Sequence, residues 1–382
     1  MYKEHLVSPG PTAVPSDALL AMAKPIYHHR TKRFDTLFAA MSEKLRTVFG
    51  TSRDVFTLTA SGSGAMEAAV VNTINPGDAV ITINGGKFGE RWTKIAKRYG
   101  AVVDEIAVEW GKSIDPAVVE AKLKADKTIK AVFVQYCETS TGAMHDVKAL
   151  AKVTAPTDAI LVVDAITALG VHECPMDEWG LDIVLTGSQK ALMIPPGLAL
   201  IALSDKAWKR VEANRTPVFY FDLKAAKKEL EKKTTPWTPA LTLVIGLDKV
   251  IDMMLAEGLA NVYARHANIA EATRNGCKAL GLSVFPVNPA NGVTAVLAPK
   301  AIGGKKIKSL MEEKYKVSIA GSQDVEKADI IRIGHIGYYD KSDIVVTLSS
   351  LEFALKDLGH AFSFGASLAA AQEVLYKGTP KG

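Results

Sequence analysis

The chain has 382 residues, of which 48% are hydrophobic and 23% are charged, and its formal net charge is +5. Because single cores stop growing at ~250–300 residues, we expect two domains. The lysines are interleaved with Glu, Asp or Ala, as on solvated helix faces, which argues against a nucleic-acid partner.

Cysteine content and hydropathy favour a cytoplasmic protein. Cys137, Cys174 and Cys277 are widely spaced and odd in number, which argues against a disulfide framework and fits a reducing compartment. They form no CxxC or Cys/His cluster, so no metal site is predicted. The sequence has neither a signal-peptide pattern at its start nor an uncharged apolar run of about 18 residues, so no membrane span is predicted.

Strand-like and helix-like segments alternate over residues 55–205. The predicted strands are Val55–Thr59, Ala79–Ile83, Ala131–Gln135, Ile160–Val163, Asp182–Thr186 and Ala199–Ala202. Predicted helices between them include Ala65–Asn75, Glu90–Tyr99 and Asp115–Ala125. This alternation predicts an α/β fold with a mainly parallel, doubly wound sheet. Such sheets bind ligands beyond the carboxyl ends of their strands.

The pattern changes after a proline-rich break at Thr234–Ala240. Two long helical segments come first, followed by short strands and separate helices: Leu241–Leu255, Leu259–Leu280, Leu282–Pro286, Val293–Leu297, Lys305–Glu313, Ile330–Ile333 and Ile344–Leu358. We therefore predict an N-terminal arm (1–20), a large domain (21–258) and a smaller α+β C-terminal domain (259–382).

A small polar turn, Ser61–Gly64, follows the first strand of the large domain and opens a helix. Backbone N–H groups at a helix N-terminus bind anions, so the turn is a candidate phosphate site; a plain strand-to-helix connection is the alternative. A Walker A loop is excluded because no GK[ST] follows. A Rossmann fingerprint is excluded because the third glycine and the ribose-binding acid are missing.

Asp164 and Lys190 follow two apolar strands. Asp164 has a structural interpretation, as a helix N-cap or an ion-paired core acid, and a functional one, as the partner of a protonated ring nitrogen. A third interpretation, as a magnesium ligand, is not favoured because the sequence lacks the phosphate-binding loop that such sites contain. Burial and a cationic neighbour would lower the pKa of Lys190 and make it a nucleophile. Pyridoxal phosphate (PLP) needs an amine for its aldehyde, a carboxylate for its ring nitrogen and an anion-binding site for its phosphate. Lys190, Asp164 and the turn Ser61–Gly64 would supply these three groups.

Other candidates are less specific. Arg332 alternates on a predicted strand and is either a carboxylate-binding guanidinium or a surface residue of an edge strand. Phe88 either covers a cofactor ring or packs in the core. His28, His29 and Arg30 are candidates for substrate contacts, or exposed residues at a helix start.

Together these residues resemble the class V aminotransferases among the fold-type I PLP enzymes, specifically the alanine–glyoxylate, serine–pyruvate and serine–glyoxylate group. The likeness runs from Pro9–Pro11 to Arg332 and is most specific in GSQKALMIPPG, residues 187–197. The cysteine desulfurases of the same fold usually carry a histidine before the lysine. Gln189 argues against that branch.

The resemblance implies roles for the matching residues. It implies that the cofactor phosphate is contacted by Ser61, Gly62, Ser63 and Gln189. Around the ring, Phe88 would stack on one face, Ile166 would lie under it, and Thr139 would reach the ring oxygen. Asp164 would bind the ring nitrogen, and Lys190 would form the Schiff base. Arg332 would bind the substrate carboxylate, and Gly10 would line the substrate site. Thr238 would reach the phosphate of a neighbouring subunit, which implies a homodimer. Two positions depart from some members: Phe88 replaces a tryptophan, and Thr235 replaces a tyrosine of the phosphate site.

The resemblance implies a PLP-dependent aminotransferase with an alanine or serine donor and a glyoxylate or pyruvate acceptor. A lyase of the same fold, or an aminotransferase for a phosphonate or sulfonate amine, stays open. An alternative of another class is a non-catalytic partner subunit that retains the fold. Ser61, Asp164 and Lys190 are all present, which argues against a loss of catalytic function.

Overall fold

A computed structural model describes residues 3–378 of the chain. The first part of the chain forms β1 (His5–Leu6), α1 (Ser16–Met22), α2 (Lys32–Phe49), β2 (Val55–Ala60), α3 (Gly62–Thr73), β3 (Ala79–Asn84), α4 (Lys87–Arg98), β4 (Val102–Ala107), α5 (Pro116–Ala125), β5 (Ala131–Gln135), β6 (Cys137–Glu138), β7 (Ala143–Met144) and α6 (Val147–Thr154). The remainder forms β8 (Ile160–Asp164), α7 (Met176–Trp179), β9 (Ile183–Gly187), β10 (Gly197–Leu203), α8 (Asp205–Ala213), α9 (Leu223–Leu230), α10 (Leu241–Glu257), α11 (Leu259–Ala279), β11 (Val293–Leu297), α12 (Gly304–Glu313), β12 (Val317–Ser318), β13 (Ala320–Gly321), β14 (Ile330–Gly334), α13 (Lys341–Asp357) and α14 (Ala366–Lys377).

The large sheet has seven strands in the order β2-β10-β9-β8-β5-β3-β4. Strand β10 is antiparallel to both of its neighbours, and the other pairings are parallel. Alternate residues of the central strands face two separate apolar layers. For example, Leu161 and Val163 pack in the layer that contains α2 and α10, whereas Ile160 and Val162 pack in the layer that contains α3 and α8. Burial on both faces explains the continuous apolar strands, and the predicted mainly parallel α/β fold is confirmed.

The C-terminal region has its own sheet, in the order β11-β14-β13, and its own apolar core. Strand β1 of the N-terminal arm pairs with β12, and Val7 lies in the same core. The arm is therefore fixed to the C-terminal region. The domain boundaries stay predictions, and residues 1–2 and 379–382 lie outside the described residues. Among residues 3–378, no helix has the length and apolar character required to cross a membrane.

One strand prediction was wrong, and one strand was missed. The segment Leu282–Pro286 forms only one isolated bridge, between Val284 and Val296, because Pro286 has no N–H to extend the ladder. Strand β4 was missed because it is an edge strand with charged, exposed residues and lacks the apolar pattern of the central strands. The helix predicted at Ala65–Asn75 begins earlier, at Gly62, so the turn glycines lie in its first turn.

Candidate active site

The site lies at the carboxyl edge of the parallel strands. Strand β8 ends at Asp164 and its parallel neighbour β9 ends at Gly187, three residues before Lys190. Ser188 fixes the loop that carries Lys190: its Oγ donates to Pro195 O (2.8 Å) and accepts from Leu198 N (3.2 Å). The prediction that Asp164 and Lys190 follow neighbouring strands is confirmed. As a result, the carboxylate and the amine lie at the same edge of the sheet.

Lys190 is held as a buried amine by the N-terminal arm. Its Nζ donates to Pro9 O (2.5 Å), and its main-chain oxygen accepts from Thr12 Oγ1 (3.1 Å). Burial lowers the pKa of Lys190 to about 8, and the positive charge of Arg332 acts in the same direction while Asp164 opposes it. Near neutral pH a much larger fraction of this lysine than of an exposed one is therefore the uncharged amine, the form that attacks a carbonyl.

Gly10 touches the reactive end of Lys190. It has a φ of +121°, and a Cβ at this position would lie 2.3 Å from Lys190 Nζ. Any side chain would therefore displace the amine, in addition to straining the backbone. The arm glycine predicted to line the substrate site thus lies at the site.

Asp164 is a buried carboxylate that lacks a cationic partner. It is 4% exposed, its Oδ1 accepts from Ile166 N (2.9 Å), and it forms no ion pair among residues 3–378. Burial raises the pKa of Asp164 to about 7, although the charges of Arg91 and Lys190 partly offset this effect. Buried carboxylates normally have a partner, and a protonated ring nitrogen would supply one.

The predicted phosphate turn begins α3. Ser61 is the N-cap residue, its side chain makes no capping hydrogen bond, and it is exposed. Ser63 Oγ accepts from Arg91 Nη1 (2.9 Å). Gly62 packs against Ile166, whose Cδ1 would lie 2.5 Å from a Cβ at position 62. The first N–H groups of α3 and the Ser61 hydroxyl are thus available to an anion.

Gln189 and the ring-contact candidates lie in the same region. Gln189 Oε1 is buried without a hydrogen-bond partner in the described chain, and a Cβ on Gly187 would lie 2.9 Å from it. Phe88 is half-buried under the Arg91 guanidinium, whose Cζ lies 4.8 Å from the ring centroid. Thr139 Oγ1 bonds to Thr167 Oγ1 (2.6 Å). The Gln189 oxygen without a partner, the free N-terminus of α3 and the buried Asp164 without an ion pair together fit PLP.

Arg332 projects from β14, the middle strand of the small sheet, so the edge-strand alternative is wrong. It is 5% exposed. Its Nε and Nη2 donate to Gly321 O (3.0 and 2.8 Å), and its Nη1 donates to Thr139 O (2.9 Å). Burial lowers its pKa to about 10, and Arg332 forms no ion pair among residues 3–378. A buried, oriented guanidinium without a direct ion pair is suited to an anionic substrate group.

Thr235 and Thr238 lie apart from these groups in the described chain. Thr238 is exposed, and Thr235 Oγ1 donates to Trp237 O (2.7 Å). Arg30 Nη1 donates to Thr234 Oγ1 (2.8 Å), so Arg30 supports this segment. His28 and His29 stack on each other just before α2, with ring centroids 4.6 Å apart. Substrate contacts by residues 28–30 stay a prediction.

Three residues of this region were not identified from the sequence: Arg91, Glu138 and Thr167. Arg91 lies one helical turn after Phe88, a spacing that could have suggested a shared face. Glu138 precedes Thr139 in ETSTG, and Thr167 follows Ile166. Proximity along the chain to predicted site residues was therefore the available signal.

Comparisons with known proteins agree with this geometry. The family model described as Aminotransferase class-V matches residues 7–344. The chain is 41% identical over 378 residues to a protein of Anabaena cylindrica named soluble hydrogenase 42 kDa subunit, covering 97% of this chain and 98% of that protein. It is 35% identical over 386 residues to a serine–glyoxylate aminotransferase of Methylorubrum extorquens, covering 98% and 96%. The crystal structure of ureidoglycine–glyoxylate aminotransferase from Bacillus subtilis matches with a TM-score of 0.94 and 30% identity over 99% of each chain.

Proposed function

Because the chain belongs to the class V aminotransferase family and is a PLP-dependent transaminase, we propose that it transfers an amino group from alanine or serine to glyoxylate or pyruvate. The observation that carries the proposal is the buried Arg332, which forms no direct ion pair among residues 3–378 and whose charge acts on Lys190. An α-carboxylate bound there would place the adjacent α-amino group toward the lysine. Two of the similar proteins carry glyoxylate in their names, which supports this acceptor.

Each half of the reaction needs a cofactor site and a proton carrier. Lys190 would hold the cofactor, Asp164 would bind its ring nitrogen, and Ser61–Ser63 with Gln189 would hold its phosphate. Phe88 and Ile166 would contact the ring. Bound PLP withdraws electrons from the substrate Cα when the Cα proton leaves. Once Lys190 is released, its amine is the base for that proton, because a pKa of about 8 lies close to working pH.

The alternatives lack a specific supporting observation. A phosphonate or sulfonate amine would place a bulkier anion on Arg332, where the guanidinium is already fixed by Thr139 O and Gly321 O. A non-catalytic subunit would not need a lysine whose pKa is lowered or an unpaired Asp164. The hydrogenase-subunit name of the Anabaena relative describes that protein.

The active sites would be shared across a homodimer. Thr238 is exposed, and so are the neighbouring aromatic residues Phe219 (74%) and Tyr220 (46%). The Trp237 ring is tilted against Phe219 and stacked on Tyr220, with centroid distances of 4.6 and 6.2 Å. A second copy would cover this apolar surface and bring its Thr238 and Thr235 toward the phosphate. Light scattering of the PLP-loaded protein should give a dimer, and a fully active monomer would contradict the proposal. The cytoplasmic location stays a prediction.

A substrate panel tests the reaction. Purified protein loaded with PLP is mixed with one amine at a time, and the spectral change from the pyridoxal to the pyridoxamine form is followed. Alanine or serine should convert the cofactor, and glyoxylate or pyruvate should then restore it. Aminoethylphosphonate and taurine are the controls and should leave the spectrum unchanged. Conversion by these two amines alone would contradict the proposed carboxylate substrate.

A further inference from the structure

Glu138, at the end of β6, is a buried carboxylate to which the proposed reaction assigns no role. It is 0% exposed and forms no ion pair among residues 3–378. Its Oε2 accepts from Gly89 N (2.9 Å), and both of its oxygens accept from Phe88 N (3.2 and 3.3 Å). Ser140 donates to Oε1 from its backbone N (3.2 Å) and from its hydroxyl. Four donors thus converge on one side chain.

This carboxylate caps helix α4, on which Phe88 lies. The N-cap residue is Gly86, which has no side chain to satisfy the first N–H groups of the helix. Glu138 accepts from two of them, and Ser140 Oγ accepts from a third, Lys87 N (3.0 Å). A Cβ at Gly86 would lie 2.3 Å from Ser140 Oγ and 2.5 Å from Glu138 Cδ. The start of α4 is therefore packed directly against residues 138–140.

The same short segment also holds the substrate-binding arginine. Thr139 O, between the two capping residues, accepts from Arg332 Nη1 (2.9 Å). The negative charge of Glu138 raises the pKa of Arg332 and so partly offsets the effect of burial. One segment therefore contacts α4 of the large domain through its side chains and β14 of the small sheet through its backbone.

We propose that Glu138 is a positioning residue that fixes Phe88 against the cofactor ring and, through Thr139, orients Arg332 toward the substrate carboxylate. The roles of Phe88 and Arg332 rest on the proposed function, whereas the capping of α4 does not. A glutamine at position 138 would place an NH2 donor against N–H or O–H donors. In one orientation it would break the cap of α4 and in the other the bond to Ser140, and in both the amides of Phe88 and Gly89 would lose a charged acceptor.

The chain contains a matched control, Glu352 of α13. It is 3% exposed, and it accepts from Gly365 N (2.8 Å), Ser367 N (2.9 Å) and Ser367 Oγ (2.7 Å) at the start of α14. The chemistry is alike: each buried carboxylate accepts from two N–H groups at a helix start and from a serine hydroxyl, and Glu138 accepts from Ser140 N in addition. Glu352 packs in the C-terminal region and touches none of the site residues. Glu138→Gln and Glu352→Gln thus remove equivalent caps in different places.

Hydrogen exchange of the cofactor-free protein tests the positioning of Phe88 without relying on activity. In Glu138→Gln the amides of Phe88 and Gly89 should exchange at least about tenfold faster, as expected for loss of a charge-assisted hydrogen bond. In Glu352→Gln those amides should be unchanged, and the amides of Gly365 and Ser367 should exchange faster. Unchanged exchange at Phe88 and Gly89 in Glu138→Gln would overturn the proposal. If Glu138→Gln fails to fold, Glu138→Asp gives the same test, since it withdraws the carboxylate by one methylene from Phe88 N and Gly89 N, and the same two amides should exchange faster.

The cofactor-loaded protein tests the link to the site. Glu138→Gln should lose much of the near-visible circular dichroism of bound PLP and raise the KM for the amino-acid donor by about tenfold. Glu352→Gln should change neither quantity, although both variants should lose stability to denaturant. Equal loss of stability with an unaltered dichroism band and KM in both variants would show a purely structural role and overturn the proposal. If the parent protein binds no PLP, the proposed function fails instead, and the exchange experiment alone decides the positioning of Phe88.

Discussion

The proposed cofactor half and the proposed substrate half of the site are built by different parts of the molecule. The cofactor half comes from one parallel sheet, whose neighbouring strands β8 and β9 lead to Asp164 and Lys190 at a common edge. The substrate half combines Gly10 of the N-terminal arm with Arg332 of the small sheet. Arg332 is held by main-chain oxygens of two separate segments, at Thr139 and Gly321. Sheet topology brings Asp164 and Lys190 of the first half to one edge, whereas the second half depends entirely on the packing of distant segments.

This difference separates the expected effects of mutations. Changes in the cofactor half should damage every half-reaction, because all substrates use the same amine and ring. Changes in the substrate half should weaken binding of the carboxylate while the spectrum of the bound cofactor stays the same. The four predictions below run from the largest expected effect to the smallest.

Lys190→Ala should have the largest effect. Loss of both the nucleophile and the proton carrier should lower turnover by about ten thousandfold or more. PLP binding should persist in part, because the phosphate and ring contacts remain. The measurement is steady-state transamination, with Lys112→Ala as the control, since Lys112 is an exposed residue paired with Glu109. Turnover of Lys190→Ala at the parent rate would exclude the assigned role.

Asp164→Asn should preserve the fold and lower the rate by about a hundredfold or more, because a neutral partner stabilises a protonated ring nitrogen poorly. The side chain keeps its size, and its oxygen can still accept from Ile166 N. The rate is measured with saturating alanine, and the denaturation midpoint serves as the control. A near-normal rate would refute the contact with the ring nitrogen.

Arg332→Ala should affect the substrate half alone. Loss of a bidentate charged pair in a buried pocket costs roughly 2–5 kcal/mol, which lowers kcat/KM by about thirtyfold or more. Arg332→Lys should not restore kcat/KM, because an ammonium group cannot form the two parallel hydrogen bonds that a planar guanidinium donates to a carboxylate. The absorption spectrum of the bound cofactor should match that of the parent. If Arg332→Ala uses alanine as well as the parent does, the carboxylate binds elsewhere.

The smallest effect is the pH dependence of stability in the cofactor-free protein. The pKa of Lys190 is lowered from 10.5 to about 8, so between these values the unfolded state binds more protons than the folded state does. The contribution of Lys190 to the free energy of unfolding therefore rises with pH in this window, by at most about 1.4 kcal/mol per pH unit. Lys190→Met should remove that slope in denaturant titrations between about pH 8 and 10. An identical slope in both proteins would contradict the lowered pKa.

The sequence predicted the cofactor half better than the substrate half for a physical reason. A buried parallel strand leaves a continuous apolar run, so the positions of Asp164 and Lys190 after such runs indicated a common sheet edge. The carbonyl contacts of Arg332 have no such signal, because they join residues 193 and 11 positions apart in the chain. The capping role of Glu138 was missed for the same reason, since its partners Phe88 and Gly89 lie 50 and 49 residues away.

The central claim is that Lys190 is the residue that carries the cofactor. It is tested most directly by reducing the PLP-loaded protein with borohydride, digesting it and identifying the modified peptide by mass spectrometry. The account predicts that the pyridoxyl label lies on Lys190, within the segment GSQKALMIPPG. A label on any other lysine, with Lys190 unmodified, would contradict it.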